Sequence, residues 1–185
     1  MPRTCFSIAK GPSVGYAEPM SQHKPTKKLV RKHDVEAGPV VERFLDVYRE
    51  GEIQDAGPIT VTAREIIEFA ENYDPLPMHI NVVDGEATVH DSLISSGVLT
   101  IALKQRLIMS IERNSAIIGA VRIDNQQFLK PVRPGDELSM HQVCTGTRKS
   151  VSRPDRGLTF WKFELSNQMG EIVLASDDTV MVRTR

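Results

Sequence analysis

The chain has 185 residues, 40% of them hydrophobic and 25% charged, with 23 Lys and Arg against 24 Asp and Glu. That is the composition of one ordinary globular domain, long enough to bury a core without disulfides or metals. The near-zero net charge gives no field that would favour nucleic acid or a membrane surface as partner. No apolar run approaches the ~20 residues that span a bilayer.

Residues 1–38 carry Gly, Pro, Ser and Lys with no hydrophobic period, and a disordered N-terminal tail is expected there. Met1 to Lys10 lacks the apolar core of a secretory signal. Residues 1–33 are basic, with Glu18 their one acid, but Pro2, Pro12, Pro19 and Pro25 interrupt the amphipathic helix of a transit peptide. The cluster Lys27, Lys28, Arg31, Lys32 reads as a solvated tail, and Met20 is an alternative start. Cys5 and Cys144 lie far apart and read as reduced thiols, which places the chain in the cytoplasm.

A single domain is expected over residues 39–185. It opens on the apolar stretch Phe44 to Tyr48, a turn at Gly51 and a strand near Ile53 to Val61. Thr62-Ala-Arg-Glu65 then has the pattern of a capping box, in which the threonine oxygen and the glutamate satisfy orphan N–H groups. With Ile66, Ile67, Phe69 and Ala70 on one face, the pattern predicts a helix over 63–72.

That helix must stop at Asp74-Pro75-Leu76-Pro77-Met78-His79, because each proline drives the residue before it out of the helical region. Taken singly, Asp74 reads as a helix-ending turn residue and His79 as an exposed loop residue. Taken together, they put an acid and a base at the two ends of one short segment, able to hold a water molecule. A fully extended backbone would part their α-carbons by about 15 Å, so the segment must curl if both are to meet one water. A loop from Tyr73 to about Ser95 is expected to follow.

At Gly97 a long helical pattern begins, with Val98, Leu99, Ile101, Ala102, Leu103, Leu107, Ile108 and Ile111. Its first two turns are apolar nearly all round, as in a helix enclosed by protein. Polar residues return at Lys104, Gln105 and Arg106. Four strands follow, over 116–128, 137–148, 158–166 and 172–182, separated by Pro134-Gly135-Asp136, Arg153 to Gly157 and Asn167 to Gly170. Trp161, Phe163 and Leu165 alternate with Lys162 and Glu164, so that strand has one buried face, although Phe160 breaks the alternation. One enclosed helix followed by consecutive antiparallel strands indicates an α+β fold, the sheet curled about the helix.

The chain has no phosphate-binding glycine loop, no zinc-spaced Cys/His set and no nucleophile elbow. His23 and His33 in the tail and His141 on a strand read as solvated or packing residues. His90, in the loop before Ser95-Ser96-Gly97, is a second-rank candidate. Ser95 or Ser96 can N-cap the long helix. The same helix start can also polarise a carbonyl, since its first N–H groups have no internal partner and glycine lets an oxygen approach. Ser96 therefore stands beside Gly97 as a candidate.

Asp74-x-x-Pro77-x-His79 resembles the D-x-N-P-x-H core of the MaoC-like dehydratases, a branch of the hot-dog fold that includes (R)-specific enoyl-CoA hydratases. The resemblance runs in order along residues 40–183. Phe44 to Glu52 is similar to the family's opening segment, and Ser96-Gly97 stands where the family usually has His-Gly. Phe128 to Asp136 and Asn167 to Glu171 are similar to its strand-and-turn and last-hairpin signatures. The resemblance implies a long central helix wrapped by a curled antiparallel sheet, paired into a homodimer. It implies addition of water to a trans-2-enoyl thioester of coenzyme A, or the reverse, with no metal and no cofactor beyond the coenzyme A of the substrate. In that scheme Asp74 and His79 hold the water and the Gly97 N–H stabilises the enolate-like oxygen. Two positions depart from the pattern: Leu76 replaces the usual asparagine, and Asn81 replaces an acid often found two residues after the histidine. A thioesterase on the same fold, which would not need His79 with Asp74, and a catalytically silent acyl-thioester binder or partner subunit are the alternatives.

Overall fold

A computed structural model of the chain describes residues 43–112 and 114–185. The expected tail over 1–38, with His23, His33 and Cys5, lies outside the described residues. The elements run β1 (Ile53–Thr60), α1 (Ala63–Tyr73), α2 (Pro77–Ile80), α3 (Val82–Glu86), α4 (Gly97–Ile111), β2 (Ile117–Phe128), β3 (Glu137–Lys149), β4 (Arg156–Ser166) and β5 (Ile172–Arg183). A 3-10 turn at Leu45–Val47 precedes them.

The five strands form one antiparallel sheet in the order β1-β3-β4-β5-β2. Strands β3, β4 and β5 are neighbours as expected from consecutive hairpins. Strand β2, however, pairs with β5 at the far edge instead of with β3. The connection between β2 and β3 therefore has to cross the end of the sheet. It is fixed there by Leu129 N–H to the Val173 carbonyl and Gly135 N–H to the Val61 carbonyl, at 3.0 and 2.8 Å.

The alternation read in β4 holds. Trp161, Phe163 and Leu165 are buried and stand opposite Cys144, Gln142 and Met140 of β3. Phe160 lies on the other face, beneath the Arg148 guanidinium at 6.0 Å from its ring centre, which shields it from water. Helix α4 packs Leu99, Leu103 and Leu107 against this inner face, in one cluster with Val61, Ile66, Leu138, Met140, Phe163, Leu165 and Leu174.

Helix α1 starts where its cap predicts: the Thr62 hydroxyl accepts the Glu65 N–H at 3.1 Å. Only that half of the capping box forms, because the Glu65 carboxylate turns to Arg106 of α4, 3.4 Å away. The expected loop from Tyr73 to Ser95 needs correcting, since it contains the short helices α2 and α3. Pro77 sits in the first turn of α2, where its missing N–H costs nothing. The Asn81 side chain caps α3 by accepting from Val83 and Asp84.

The Lys104 side chain also needs correcting. It does not open the polar face of α4 but is buried, 2% exposed, donating to Ser176 and Asp178 of β5. Residues 100, 103, 104 and 107 share one helical stripe, and that stripe faces the sheet. Nearby, the buried Glu112 carboxylate accepts from Arg43, Tyr48 and Gln54. Burial pushes the Tyr48 phenol well above its usual range, and the charge of Glu112 adds to that. Burial would also raise Glu52, but hydrogen bonds from Arg43 and Gln54 overcome it and hold that carboxyl below the usual range.

Candidate active site

Helix α1 ends at Asp74, whose N–H still donates to the Ala70 carbonyl while its own backbone leaves the helical region. Two residues on, Leu76 is extended, and its carbonyl accepts the His79 N–H at 2.8 Å. The helical turn at Pro77–Ile80 is thus the curl that the Asp74–His79 pair requires. It brings His79 Nε2 to 3.7 Å from Asp74 Oδ2. That is too long for a direct hydrogen bond, but both atoms reach one shared oxygen placed between them.

The imidazole is fixed from its other side. His79 Nδ1 lies 2.9 Å from the Ile94 carbonyl. A carbonyl only accepts, so Nδ1 carries the hydrogen and neutral His79 keeps its lone pair on Nε2, facing Asp74. The ring is 6% exposed and the Asp74 side chain 30%, so the base is enclosed and the acid borders solvent.

Two segments hold the Ile94 carbonyl in place. Ile94 N–H donates to the Met78 carbonyl of α2, and Ser95 N–H to the Val132 carbonyl of the segment that crosses the sheet end. Arg133, next to Val132, reaches Ser92 Oγ at 2.6 Å and the His90 carbonyl at 3.1 Å. Arg133 thus serves as an anchor for the 90–95 loop, and Lys130 pairs with Glu171.

Ser96 joins the pair to α4. Its hydroxyl accepts the Val98 N–H at 3.2 Å, capping the helix, and donates to Asp74 Oδ2 at 2.6 Å. Ser96 is fully buried, so its one proton is committed to that carboxylate. Gly97 is the first helical residue, with its N–H in the turn that lacks internal acceptors. A β-carbon at Gly97 would come within 3.0 Å of the Phe128 ring. His90 is not brought to the pair: its hydrogen bonds run through its main chain, to Thr88 Oγ1 and Arg133. His141 pairs with Asp55 on the exposed face of the sheet, at 2.7 Å. Among the described residues no three His, Cys, Asp or Glu side chains converge to hold a metal ion. No described helix is long and apolar enough to cross a membrane.

Residues 48–157 match the model of the MaoC like domain. The chain belongs to the MaoC-like domain family. The Bacillus subtilis (strain 168) protein YdeM is 30% identical over 140 residues, covering 75% of this chain and 98% of its own. A MaoC-like dehydratase from Rhodospirillum rubrum has a TM-score of 0.71 at 32% identity, covering 77% of this chain and 97% of that one. The (R)-hydratase from A. caviae involved in PHA biosynthesis superposes with a TM-score of 0.61 at 19% identity, covering 72% of this chain and 96% of that one. That last likeness shows the shared hot-dog fold. In this MaoC-like domain, then, the expected α+β architecture of a sheet wrapped about α4 is borne out.

Sequence reasoning named Asp74, His79, Ser96 and Gly97 as candidates but missed the Ser96–Asp74 bond and the inward Lys104–Asp178 pair. The first joins residues 22 apart through a loop whose path has no sequence signal. The second was legible from periodicity, since Asp178 falls on the same strand face as Leu174 and Val182.

Proposed function

We propose that this MaoC-like domain adds water to an enoyl thioester, or removes it from the 3-hydroxyacyl thioester, with coenzyme A as the carrier. The carrying observation is the 3.7 Å approach of His79 Nε2 to Asp74 Oδ2, each atom aimed by a second hydrogen bond. Water held between them gives a proton to the Nε2 lone pair while its oxygen bonds the β-carbon. The electron pair of the double bond moves onto the thioester as an enolate, whose oxygen is taken by the Gly97 N–H at the positive end of α4. The pair then returns a proton to the α-carbon, so the balance is one water added. Every step uses side chains and main chain of this protein; the reading calls for no metal and no cofactor. The enzyme works as a homodimer in the cytoplasm.

The test follows crotonyl-CoA by loss of its conjugated enoyl absorbance beside release of free thiol. Hydration without thiol release is expected. Asp74→Asn and His79→Ala are each expected to lower the rate by about 10²–10⁴-fold, the usual contribution of a positioned acid or base. Thiol release without hydration would make the protein a thioesterase. Binding with neither reaction, across several chain lengths, would make it a silent acyl-thioester binder.

A further inference from the structure

The loop that fixes His79 contains one residue whose backbone is held against its preference. Asp91 has a φ of 51°, in the left-handed region that residues with a β-carbon adopt at a cost. Its side chain is exposed, so packing does not hold it there. The two bonds of the Arg133 guanidinium fall on either side of it. Nη2 donates to the carbonyl of His90, the residue before, at 3.1 Å, and Nη1 to the hydroxyl of Ser92, the residue after, at 2.6 Å. The Ser92 hydroxyl in turn donates to the same His90 carbonyl at 3.4 Å. A guanidinium is a rigid planar fork, so these bonds set the span across Asp91 and keep the turn in its left-handed form.

Arg133 is itself well fixed. Its N–H donates to Asp136 Oδ2 at 2.7 Å, and Val132 before it is buried. The crossing segment therefore grips the loop at two points, through Arg133 at residues 90 and 92 and through the Val132 carbonyl at Ser95. Between the grips lie Leu93, which is buried, and Ile94, whose carbonyl accepts from His79 Nδ1. Release of the Asp91 turn frees one grip and lets that carbonyl move. An imidazole without this acceptor is no longer held to one tautomer, and the form with its hydrogen on Nε2 has no lone pair to turn toward Asp74.

We propose that Arg133 is a positioning residue for His79. By bridging His90 and Ser92 it holds Asp91 in the left-handed turn, the turn keeps the Ile94 carbonyl on Nδ1, and the basic lone pair stays on Nε2. Arg133 makes no contact with the imidazole and acts through the loop alone. The proposal rests on the reading of His79 as the base of the water-adding pair and adds the residue that sets its protonated nitrogen. The competing role is capture of a carrier phosphate, since these bonds use two of the five N–H groups of the arginine.

The test compares the full chain with Arg133→Met and with Arg133→Met combined with Asp91→Gly. Glycine takes the left-handed conformation without cost, so it relieves the turn of its need for the arginine. Arg133→Met is expected to lower kcat for crotonyl-CoA by about 10–100-fold, the cost of a misplaced catalytic group, with KM unchanged. The added Asp91→Gly should restore most of kcat. Nitrogen NMR of histidine-labelled protein in weakly alkaline buffer reads the tautomer directly, with the His79 signals assigned by their loss in His79→Ala. The parent should carry hydrogen on Nδ1, Arg133→Met should populate both tautomers, and the double variant should return to the first. Ser92→Ala deletes one acceptor and leaves the arginine in place. It should show the same shift in part, which keeps the test decisive if Arg133→Met does not fold. An unchanged tautomer in both Arg133→Met and Ser92→Ala overturns the proposal, as does a double variant that regains nothing. A raised KM with unchanged kcat would overturn it in favour of phosphate binding. The tautomer shift and its reversal without crotonyl-CoA hydration by the parent would leave the positioning role standing and remove the hydratase reading instead.

Discussion

Ser96 combines two jobs in one hydroxyl, and they can be separated. As an N-cap it satisfies Val98 N–H, a contribution that alanine would forfeit at about 0.5–2 kcal/mol and glycine at only a few tenths. As a donor it fixes the Asp74 carboxylate opposite His79. Where the family pattern has an amide two residues after the aspartate, this chain has Leu76, half-exposed and unable to donate from its side chain. The burden of orientation falls on Ser96. Ser96→Gly is therefore expected to keep its melting temperature within a few degrees of the parent while kcat for crotonyl-CoA drops about tenfold, the size of one lost hydrogen bond to a charge. Ser96→Ala should lose both. A Ser96→Gly enzyme with full kcat would reduce Ser96 to a helix cap.

At the level of elements, the site is an agreement among α2, the 90–95 loop and α4, none of which can hold it alone. The two short helices were invisible in the sequence because a helix of four or five residues offers no period to read, and isolated it would not form. Long elements were plain: α1 from its cap and stripe, and β2 to β5 from alternation and turns. Gly85 shows how closely the invisible part is fitted. A β-carbon there would sit 2.7 Å from the Ser92 carbonyl oxygen and 2.8 Å from Leu93 N, main-chain atoms that cannot swing aside. Gly85→Ala must then push the 92–94 segment away from α3 and carry the Ile94 carbonyl off His79 Nδ1. The expected result is a loss of roughly 1–3 kcal/mol of stability, typical of overpacking. A fall in kcat larger than that of an equally destabilised variant elsewhere is expected with it. Denaturant melts beside steady-state rates would show this, and equal rates would mean that the imidazole does not depend on Ile94.

For the whole molecule, the decisive feature is the one the sequence could not place: β2 at the edge of the sheet. Consecutive hairpins predict β2 beside β3, and only the path of residues 129–136 across the sheet end sends it outside β5. There, among the described residues, it offers an unpaired backbone edge along twelve residues, with Ile117, Ile118, Val121, Ile123 and Phe128 all at least 36% exposed. An edge so long and apolar invites pairing, and proteins that remain single usually blunt it with charge, proline or a covering element. The opposite edge, β1, is blunted in this way, by Pro58 and the register shift beside it. A second copy that continues the sheet through β2 covers the exposed face and creates no new edge of that kind, the closed twofold arrangement favoured by most oligomers. Light scattering at micromolar concentration should therefore give twice the 20.6 kDa of one chain. Ile118→Lys with Val121→Lys places like charges on both copies across the twofold, and should return the mass to that of one chain. Unchanged circular dichroism would show that the fold itself survives. A monomeric parent, or a dimer untouched by both lysines, would move the interface away from β2.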